Sequence, residues 1–330
     1  MPKHTDKIEL DEEYRNIETY KKLVDSQENE KILKTKIVGC LPNQDGTTPA
    51  QKWFAVGYYE GYQVLIPGAS LGFDNVENAK DKAGNPVSDY NKTQMYRAYI
   101  RAMLGAEVDF IVNKHPSAIN SAMKMVVGDR AAAMAKKRQS NYFKKDKDGK
   151  SKVERAFEAN EPLIGRVVSI ASTVVFVEVY GYVVGVLARD VSWRYTENLR
   201  DVISIGEQIH VKFTSLEIDK ENETIKATVS IKAAQPNIMR ENMQKYRKDG
   251  IYLGKISGAR NGGYFVQIGN HVDGIDVYCK KITCPDTPHV GDIVSVRLFV
   301  FDEENARVFG SIEAVVEKKY ANFVSWWYNA

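Results

Sequence analysis

The side chains best suited to catalysis or metal binding are few in this chain, and they lie far apart. None of the five histidines belongs to an HExxH or HxE…CxxC motif. The chain also lacks the phosphate loop GxxxxGKS/T and the nucleophile elbow GxSxG. Cys279, Cys284 and His289 are close enough in sequence to suggest zinc, but a fourth ligand is missing. The sequence therefore predicts a protein that is not an enzyme and that needs no metal or cofactor.

Binding of single-stranded nucleic acid requires different chemistry, namely exposed aromatic rings with basic side chains beside them. Bases stack on the rings, and the cations contact phosphates. The formal net charge of +3 permits such binding without demanding it. Places where basic and aromatic residues come together are therefore the candidate binding surfaces.

A basic stretch runs from Arg130 to Arg155. It contains ten Lys or Arg against three acidic residues. Its Ala-rich beginning favours a helix, and residues 146–150 are typical of an exposed turn. The stretch is either a solvated connector or a segment that contacts phosphates, with an affinity that falls as salt rises. On the second interpretation, the phosphate-contacting residues are Lys136, Lys137, Arg138, Lys144 and Lys145.

The segment Pro162–Lys232 has the pattern of a small β barrel. Apolar residues alternate with polar or branched ones, and Gly181 allows a tight turn. The predicted strands are 164–170, 174–180, 183–188, 208–218 and 224–231. Five short strands in about seventy residues are typical of the oligonucleotide-binding, or OB, fold.

Two further segments repeat this pattern. Residues 249–312 form the clearer copy, about eighty-five residues further along the chain, and this spacing supports a tandem array. Residues 32–138 form a diverged copy, in which an insertion with a helical pattern separates the third and fourth strands. An amphipathic helix is predicted before it, from about residue 9 to residue 29.

We therefore expect a mainly β protein of tandem five-stranded OB-type barrels with helical insertions, linkers and termini. The predicted domains are an N-terminal helical extension (1–31), a diverged OB-like domain (32–138) with a helical insertion (74–103), a basic linker (139–160), an OB domain (161–235), an OB domain with a leading helical linker (236–312) and a C-terminal aromatic helix (313–330). No apolar run reaches the length of a membrane span, and no signal peptide is recognisable, so we expect a cytoplasmic protein without membrane contact.

The motifs of the central unit resemble the RNA-binding repeats of ribosomal protein S-one. That family has Gly-x-Val in strand one, an aromatic-Val pair in strand two, Gly-Leu in strand three, Val-Gly-Asp/Glu before strand four and Asp at its end. The matching residues here are Gly165-Arg166-Val167, Phe176-Val177, Gly185-Val186-Leu187, Ile205-Gly206-Glu207 and Ile218-Asp219, and Ser230-Ile231-Lys232 matches the family's ending Leu-Ser-x-Lys. The resemblance implies an OB fold and a binding role without catalysis.

The resemblance also implies where nucleic acid binds. In the family, the surface combines aromatic residues of strand two, a His at the end of strand three, and an Asp and a basic residue around the last turn. The matching residues are Phe265, Asp302 and Arg307 in the third copy, with Tyr264 and Tyr278 as neighbours, and Phe176, Asp219 and Lys226 in the central copy. Lys255, Arg260 and Arg189 would add phosphate contacts. Both copies depart from the pattern at a second strand-two aromatic and at the His position.

Two functions remain open from the sequence. The first is non-catalytic binding of RNA or single-stranded DNA by tandem barrels, with the ribosome as one candidate partner. The alternative is a structural assembly protein, such as a bacteriophage virion or head component, that uses the barrels as scaffold and forms homo-oligomers or virions. Its contact surfaces would be the insertion, the terminal helices and the aromatic tail: Tyr320, Phe323, Trp326, Trp327 and Tyr328.

Overall fold

The computed structural model describes residues 4–270 and 272–319, and the side chains of residues 14–73, 76–270 and 272–319. It contains three β barrels in succession along the chain. The mainly β fold of tandem OB-type barrels is therefore confirmed. In the part of the chain that the structure describes, no helix is long and apolar enough to cross a membrane.

The first barrel is built from seven strands, two of which are segments of one bent strand. They are β1 (Leu33–Lys36), β2 (Gly39–Pro42), β3 (Trp53–Tyr59), β4 (Tyr62–Pro67), β5 (Glu107–Val112), β6 (Ile119–Asn120) and β7 (Met125–Asp129). The backbone changes partner between β1 and β2: the N–H of Ile37 donates to Ala106, whereas that of Val38 donates to Val56. Because β1 pairs with β5 and β2 pairs with β3, this change closes the barrel.

Helices cover the first barrel. Helix α1 (His4–Asn29) buries Leu23 in the barrel core, and the Ser26 hydroxyl accepts the N–H of Val112 at 3.0 Å. The insertion contains α2 (Asp74–Glu77) and α3 (Asp89–Ala102). Helix α3 begins at Ser88, whose hydroxyl accepts an N–H from the first turn, as a helix N-cap does. The predicted insertion is thus helical and carries its own small apolar cluster.

The basic linker is packed against protein rather than extended into solvent. It forms α4 (Arg130–Arg138), a short π-helical turn (Gln139–Phe143) and α5 (Lys152–Glu158). Tyr142 is fully buried and donates its hydroxyl to Val179 O at 2.8 Å. Val153 and Ala156 belong to the core of the central barrel. The linker therefore completes that core, and an exposed turn occurs at 146–149 as the sequence predicted.

The central barrel consists of β8 (Leu163–Ile170), β9 (Val174–Val179), β10 (Tyr182–Leu187), β11 (Gln208–Asp219) and β12 (Thr224–Ser230). These strands pair in the order β10-β9-β8-β11-β12. Along β9, Val175 and Val177 are buried in the core, while Phe176 between them faces outward. The alternation read in the sequence thus separates the core face from the outer face, as the period of a strand requires.

The third barrel follows α6 (Ile238–Met243) and is closed. Its strands are β13 (Ile251–Arg260), β14 (Gly263–Ile268), β15 (Ile275–Ile282), β16 (Ile293–Asp302) and β17 (Arg307–Glu317). They close in the order β13-β14-β15-β17-β16, with β15 and β17 parallel.

The prediction that a C-terminal helix begins at residue 313 is wrong. Residues 313–317 continue β17, because Ala314, Val315 and Glu317 remain paired with β16. The aromatic tail from Tyr320 onward lies outside the described residues.

A buried cluster of charges joins the first and central barrels. Glu178 of β9 is 1% exposed and accepts hydrogen bonds from Arg130 at 3.2 Å and from Lys137 at 2.6 Å. Lys137 also contacts Asp109 of the first barrel at 2.5 Å, and Arg166 of the central barrel lies 3.5 Å from the same carboxylate. Buried charges are tolerated when they are paired in this way. The cluster therefore fixes how the two barrels meet.

Candidate nucleic-acid interface

Strand alternation places an aromatic surface on the outside of the third barrel. On β14, Tyr264 packs against the barrel core, whereas Phe265 faces outward. On β15, Val277 is buried in the core and Tyr278 faces outward. The strand register pairs Phe265 with Tyr278 and Tyr278 with Phe309 of β17. Three outward rings therefore lie side by side across three neighbouring strands.

A fourth ring, Tyr195, extends this row from the central unit. Tyr195 is stacked on Phe265 with a centroid separation of 4.0 Å and an interplanar angle of 8°. Phe265 and Tyr278 are 5.1 Å apart and tilted, and Tyr278 meets Phe309 edge-on at 6.4 Å. We call Tyr195, Phe265, Tyr278 and Phe309 the aromatic row. Phe265 is an inner member of the row, with a tyrosine on each side.

Two glycines make room for the tyrosines. A Cβ at Gly263 would lie 2.6 Å from the Tyr278 ring, and a Cβ at Gly258 would lie 2.4 Å from the Tyr195 ring. The Tyr278 hydroxyl also lies within hydrogen-bond distance of Arg260 O (3.3 Å) and Asn261 O (3.2 Å). Each tyrosine ring is therefore seated directly on the strand backbone.

The predicted aspartates shape turns. Asp302 accepts the backbone N–H of Asn305 at 3.0 Å and the side-chain amide of the same residue. Asp219 accepts the N–H of Asn222 at 3.1 Å in the matching turn of the central barrel. The hydrogen bonds from the asparagine side chains, with the backbone N–H bonds, hold the pKa of both carboxyls below the ordinary range. Both residues thus stabilise the turn between the last two strands.

Three predicted cations surround the aromatic row. Arg307 begins β17 two residues before Phe309, so both side chains lie on the same face of the strand. Arg260 ends β13 beside Gly263, and Lys255 of the same strand is opposite Gln267 of β14. All three cations are exposed. They are therefore available for phosphates next to the rings.

The central barrel has a smaller outward surface. Phe176 is half-buried and lies opposite Gly185, with Ser169 on its other side. Lys226 is exposed on β12, and Arg189 is exposed after β10. Further along the same face, Glu178 is buried against Arg130 and Lys137 of helix α4. The outer face of the central barrel is therefore partly an interface within the chain.

The structure divides the basic linker into two groups. Lys136 donates to Glu30 O at 2.7 Å at the end of α1, Lys137 pairs with two carboxylates, and Arg138 donates to Gly181 O at 2.9 Å. Lys144 and Lys145 are exposed. The first three side chains are occupied by contacts within the protein, whereas Lys144 and Lys145 remain available for phosphates.

Two members of the aromatic row, Tyr195 and Phe309, were not predicted from the sequence. Phe309 could have been found, because it is two residues from Arg307 in a segment predicted as a strand. Tyr195 lies between β10 and β11 in an irregular segment, and no period connects it to Phe265, seventy residues away. Contacts between barrels leave no such signal in one sequence.

Comparison with known proteins identifies the central barrel. Residues 156–229 match the S1 RNA binding domain. The matched residues include all of β8 to β11 and nearly all of β12, so the resemblance to the repeats of ribosomal protein S-one is confirmed. The S1 domain lies immediately before the barrel that carries most of the aromatic row.

Curated relatives point the same way. Small ribosomal subunit protein bS1 of Staphylococcus haemolyticus is 27% identical over 175 residues, which are 52% of this chain and 44% of that protein. The bS1 protein of Staphylococcus epidermidis is 26% identical with the same coverage. The chain thus spans less than half the length of these relatives. Together with the S1 match, they support nucleic-acid binding.

Two further similarities cover more of this chain. The 4-hydroxy-3-methylbut-2-enyl diphosphate reductase of Clostridium acetobutylicum is 25% identical over 272 residues, which are 79% of this chain and 36% of that protein. A multidomain protein with nucleic acid binding domains from Streptococcus pneumoniae is 11% identical, covering 90% of this chain and 79% of that one, with a TM-score of 0.17. Among the side chains that the structure describes, in residues 14–73, 76–270 and 272–319, no three His, Cys, Asp or Glu are grouped as metal ligands.

Proposed function

We propose that this chain is a non-catalytic protein of the cytoplasm that binds RNA or single-stranded DNA on the outer face of its third barrel. One observation carries the proposal: the aromatic row crosses three neighbouring strands, with Arg260 and Arg307 beside it. The adjacent S1 domain supports it.

The chemistry follows from the two kinds of side chain. Aromatic faces stack bases without strong sequence preference, and each stacked base contributes about 1–3 kcal/mol. Arg307, Arg260 and Lys255 neutralise phosphates, so binding weakens as salt rises. Asp302 maintains the turn that brings Arg307 next to the row. Phe176, Lys226 and Arg189 of the S1 domain, and Lys144 and Lys145 of the linker, form a secondary surface.

The ribosome is the partner that the bS1 relatives suggest for this chain. The alternative role in a structural or virion assembly stays a prediction, and the aromatic tail, one of its expected contact surfaces, lies outside the described residues.

Substitution of one ring and one cation on β17 tests the proposal. Phe309→Ala with Arg307→Ala removes both kinds of contact from one strand, so affinity for a fluorescent single-stranded RNA should fall by about 2 kcal/mol or more. The slope of log affinity against log salt should also decrease, by about 0.7 for the lost phosphate contact. Fluorescence anisotropy at several salt concentrations measures both quantities.

A matched control is available on α1. Tyr14→Ala with Arg15→Ala also removes one ring and one cation, both exposed and both remote in the fold from the third barrel. This variant should bind as the unmodified chain does. Equal affinities for the β17 variant and the unmodified chain would contradict the assignment of the site.

A further inference from the structure

The segment Trp193–Tyr195 of the central unit is docked on the third barrel. The Arg194 guanidinium donates to Asp276 Oδ1 at 3.0 and 3.1 Å and to Asn270 O at 2.8 Å. The backbone N–H of Tyr195 donates to the other oxygen of Asp276. Trp193 packs against the core cluster of the third barrel. Three consecutive residues are therefore anchored, and Tyr195 is held on Phe265 by its own neighbours in the chain.

The position of Tyr195 changes which ring can receive a base. Phe265 has Tyr195 stacked on one side and Tyr278 tilted against the other. A base could reach the covered face of Phe265 only if Tyr195 left it. Movement of the whole segment away from the barrel would break the Arg194–Asp276 ion pair, whose side chains are 14% and 8% exposed. Separation of a buried ion pair costs more than the stacking of one base returns. The backbone at Tyr195 is therefore held in place, with the ring against Phe265 and Gly258.

We infer that Tyr195 is itself a base-stacking residue, which the central unit supplies to the binding surface of the third barrel. The inference rests on the proposed function. The Tyr195 ring is only half-buried, so part of the ring surface remains accessible at the end of the aromatic row. Phe265 then acts as the support behind the ring.

The charges around Tyr195 suit a nucleic acid. Burial raises the pKa of the Tyr195 hydroxyl, the charge of Glu197 raises it further, and the charge of Arg260 lowers it. Arg260 is therefore close enough to the ring to act on it electrostatically. An exposed guanidinium beside an aromatic ring is the combination that a nucleotide requires, a phosphate contact next to a stacked base. A strand bound at Tyr195 and Phe309 would cross from the junction of the two barrels to β17. Arg194 is a positioning residue in this arrangement.

The experiment compares Tyr195→Ala and Tyr195→Phe in the full chain, with a labelled single-stranded RNA of about 12 nucleotides, within the site size of OB barrels. Tyr195→Phe keeps the ring and should bind as the unmodified chain does. Tyr195→Ala should bind about tenfold more weakly, because one stacked base is lost. An affinity of Tyr195→Ala that equals or exceeds that of the unmodified chain would overturn the inference, and a higher affinity would make Tyr195 a cover over Phe265.

Photocrosslinking gives a second readout that does not depend on the folding of a variant. An oligonucleotide with 5-iodouridine, bound to the unmodified chain, should crosslink to the peptide that contains Tyr195. Crosslinks confined to other peptides would overturn the inference while leaving the proposed function intact. If the unmodified chain binds no oligonucleotide at any salt concentration, the proposed function itself fails, and the inference with it.

Discussion

The buried cluster between the first two barrels allows a sharp prediction for Glu178→Gln. This change keeps the size of the side chain but removes the negative charge that faces Arg130 and Lys137. Arg130 is 2% exposed, so its charge cannot be solvated once Glu178 is neutral. Removal of one partner from a buried ion pair costs about 3–5 kcal/mol. Lys137 keeps its contact with Asp109, so we expect a loss of stability near the lower end of that range.

Urea denaturation followed by circular dichroism measures this loss, and small-angle X-ray scattering reports whether the barrels change their relative arrangement. Glu60→Gln is a matched control, because Glu60 pairs with Lys22 at a distance of 2.9 Å on the surface. Exposed pairs contribute little, so this control should unfold at nearly the same urea concentration as the unmodified chain. Equal midpoints for Glu178→Gln and Glu60→Gln would refute the claim that the cluster holds the barrels together.

Two further predictions concern the same cluster and the aromatic row. Burial alone would raise the pKa of Asp109, but the hydrogen bond and charge of Lys137 and the charge of Arg166 outweigh it and hold that pKa below the ordinary range. Its stabilising contribution is therefore present above the unfolded-state pKa of about 3.9 and is lost as pH falls through the lower folded value. As the pH falls below about 4, the free energy of unfolding of Asp109→Asn should decrease less than that of the unmodified chain. Urea titrations measure both decreases, and equal decreases would contradict the prediction. Gly263→Ala should displace the Tyr278 ring, because the new Cβ would lie 2.6 Å from the ring. The affinity for RNA should therefore fall as much as it does in Tyr278→Ala. Anisotropy checks this, and unchanged affinity in Gly263→Ala would mean that Tyr278 takes no part in binding.

Local patterns in the sequence predicted the barrels well. Alternation in segments such as 174–179 and 263–268 is the signature of a strand with one buried face, and both are strands in the structure. The same alternation could not decide which of Tyr264 and Tyr278 faces outward until the register was known. The structure places Tyr264 against the core and Tyr278 on the outer face.

Long-range packing is what the sequence could not supply. The density of cations in the linker is typical of a solvated or phosphate-binding segment, yet Lys137 and Arg138 are bound to groups of the first and central barrels. Their partners are up to 43 residues away, and no local pattern encodes such pairs. The boundary at 313 failed for a related reason, because pairing with β16 extends β17 beyond the length expected from the local sequence.

The same limit applies to the candidate site. The resemblance to a family pointed to Phe265, Asp302 and Arg307, which lie in strands of the third barrel. It could not show that Phe265 is already stacked against Tyr195, since that contact joins two barrels. The functional roles of these residues stay predictions.

The central claim is that the full chain binds single-stranded nucleic acid through stacking rings and neighbouring cations. Its most direct test is the equilibrium affinity of the unmodified chain for a labelled single-stranded RNA over a range of salt concentrations. The account predicts measurable binding, with a logarithm of the association constant that falls linearly with the logarithm of the salt concentration. The slope is about 0.7 for each phosphate contact. No binding at low salt, or binding that does not change with salt, would contradict it.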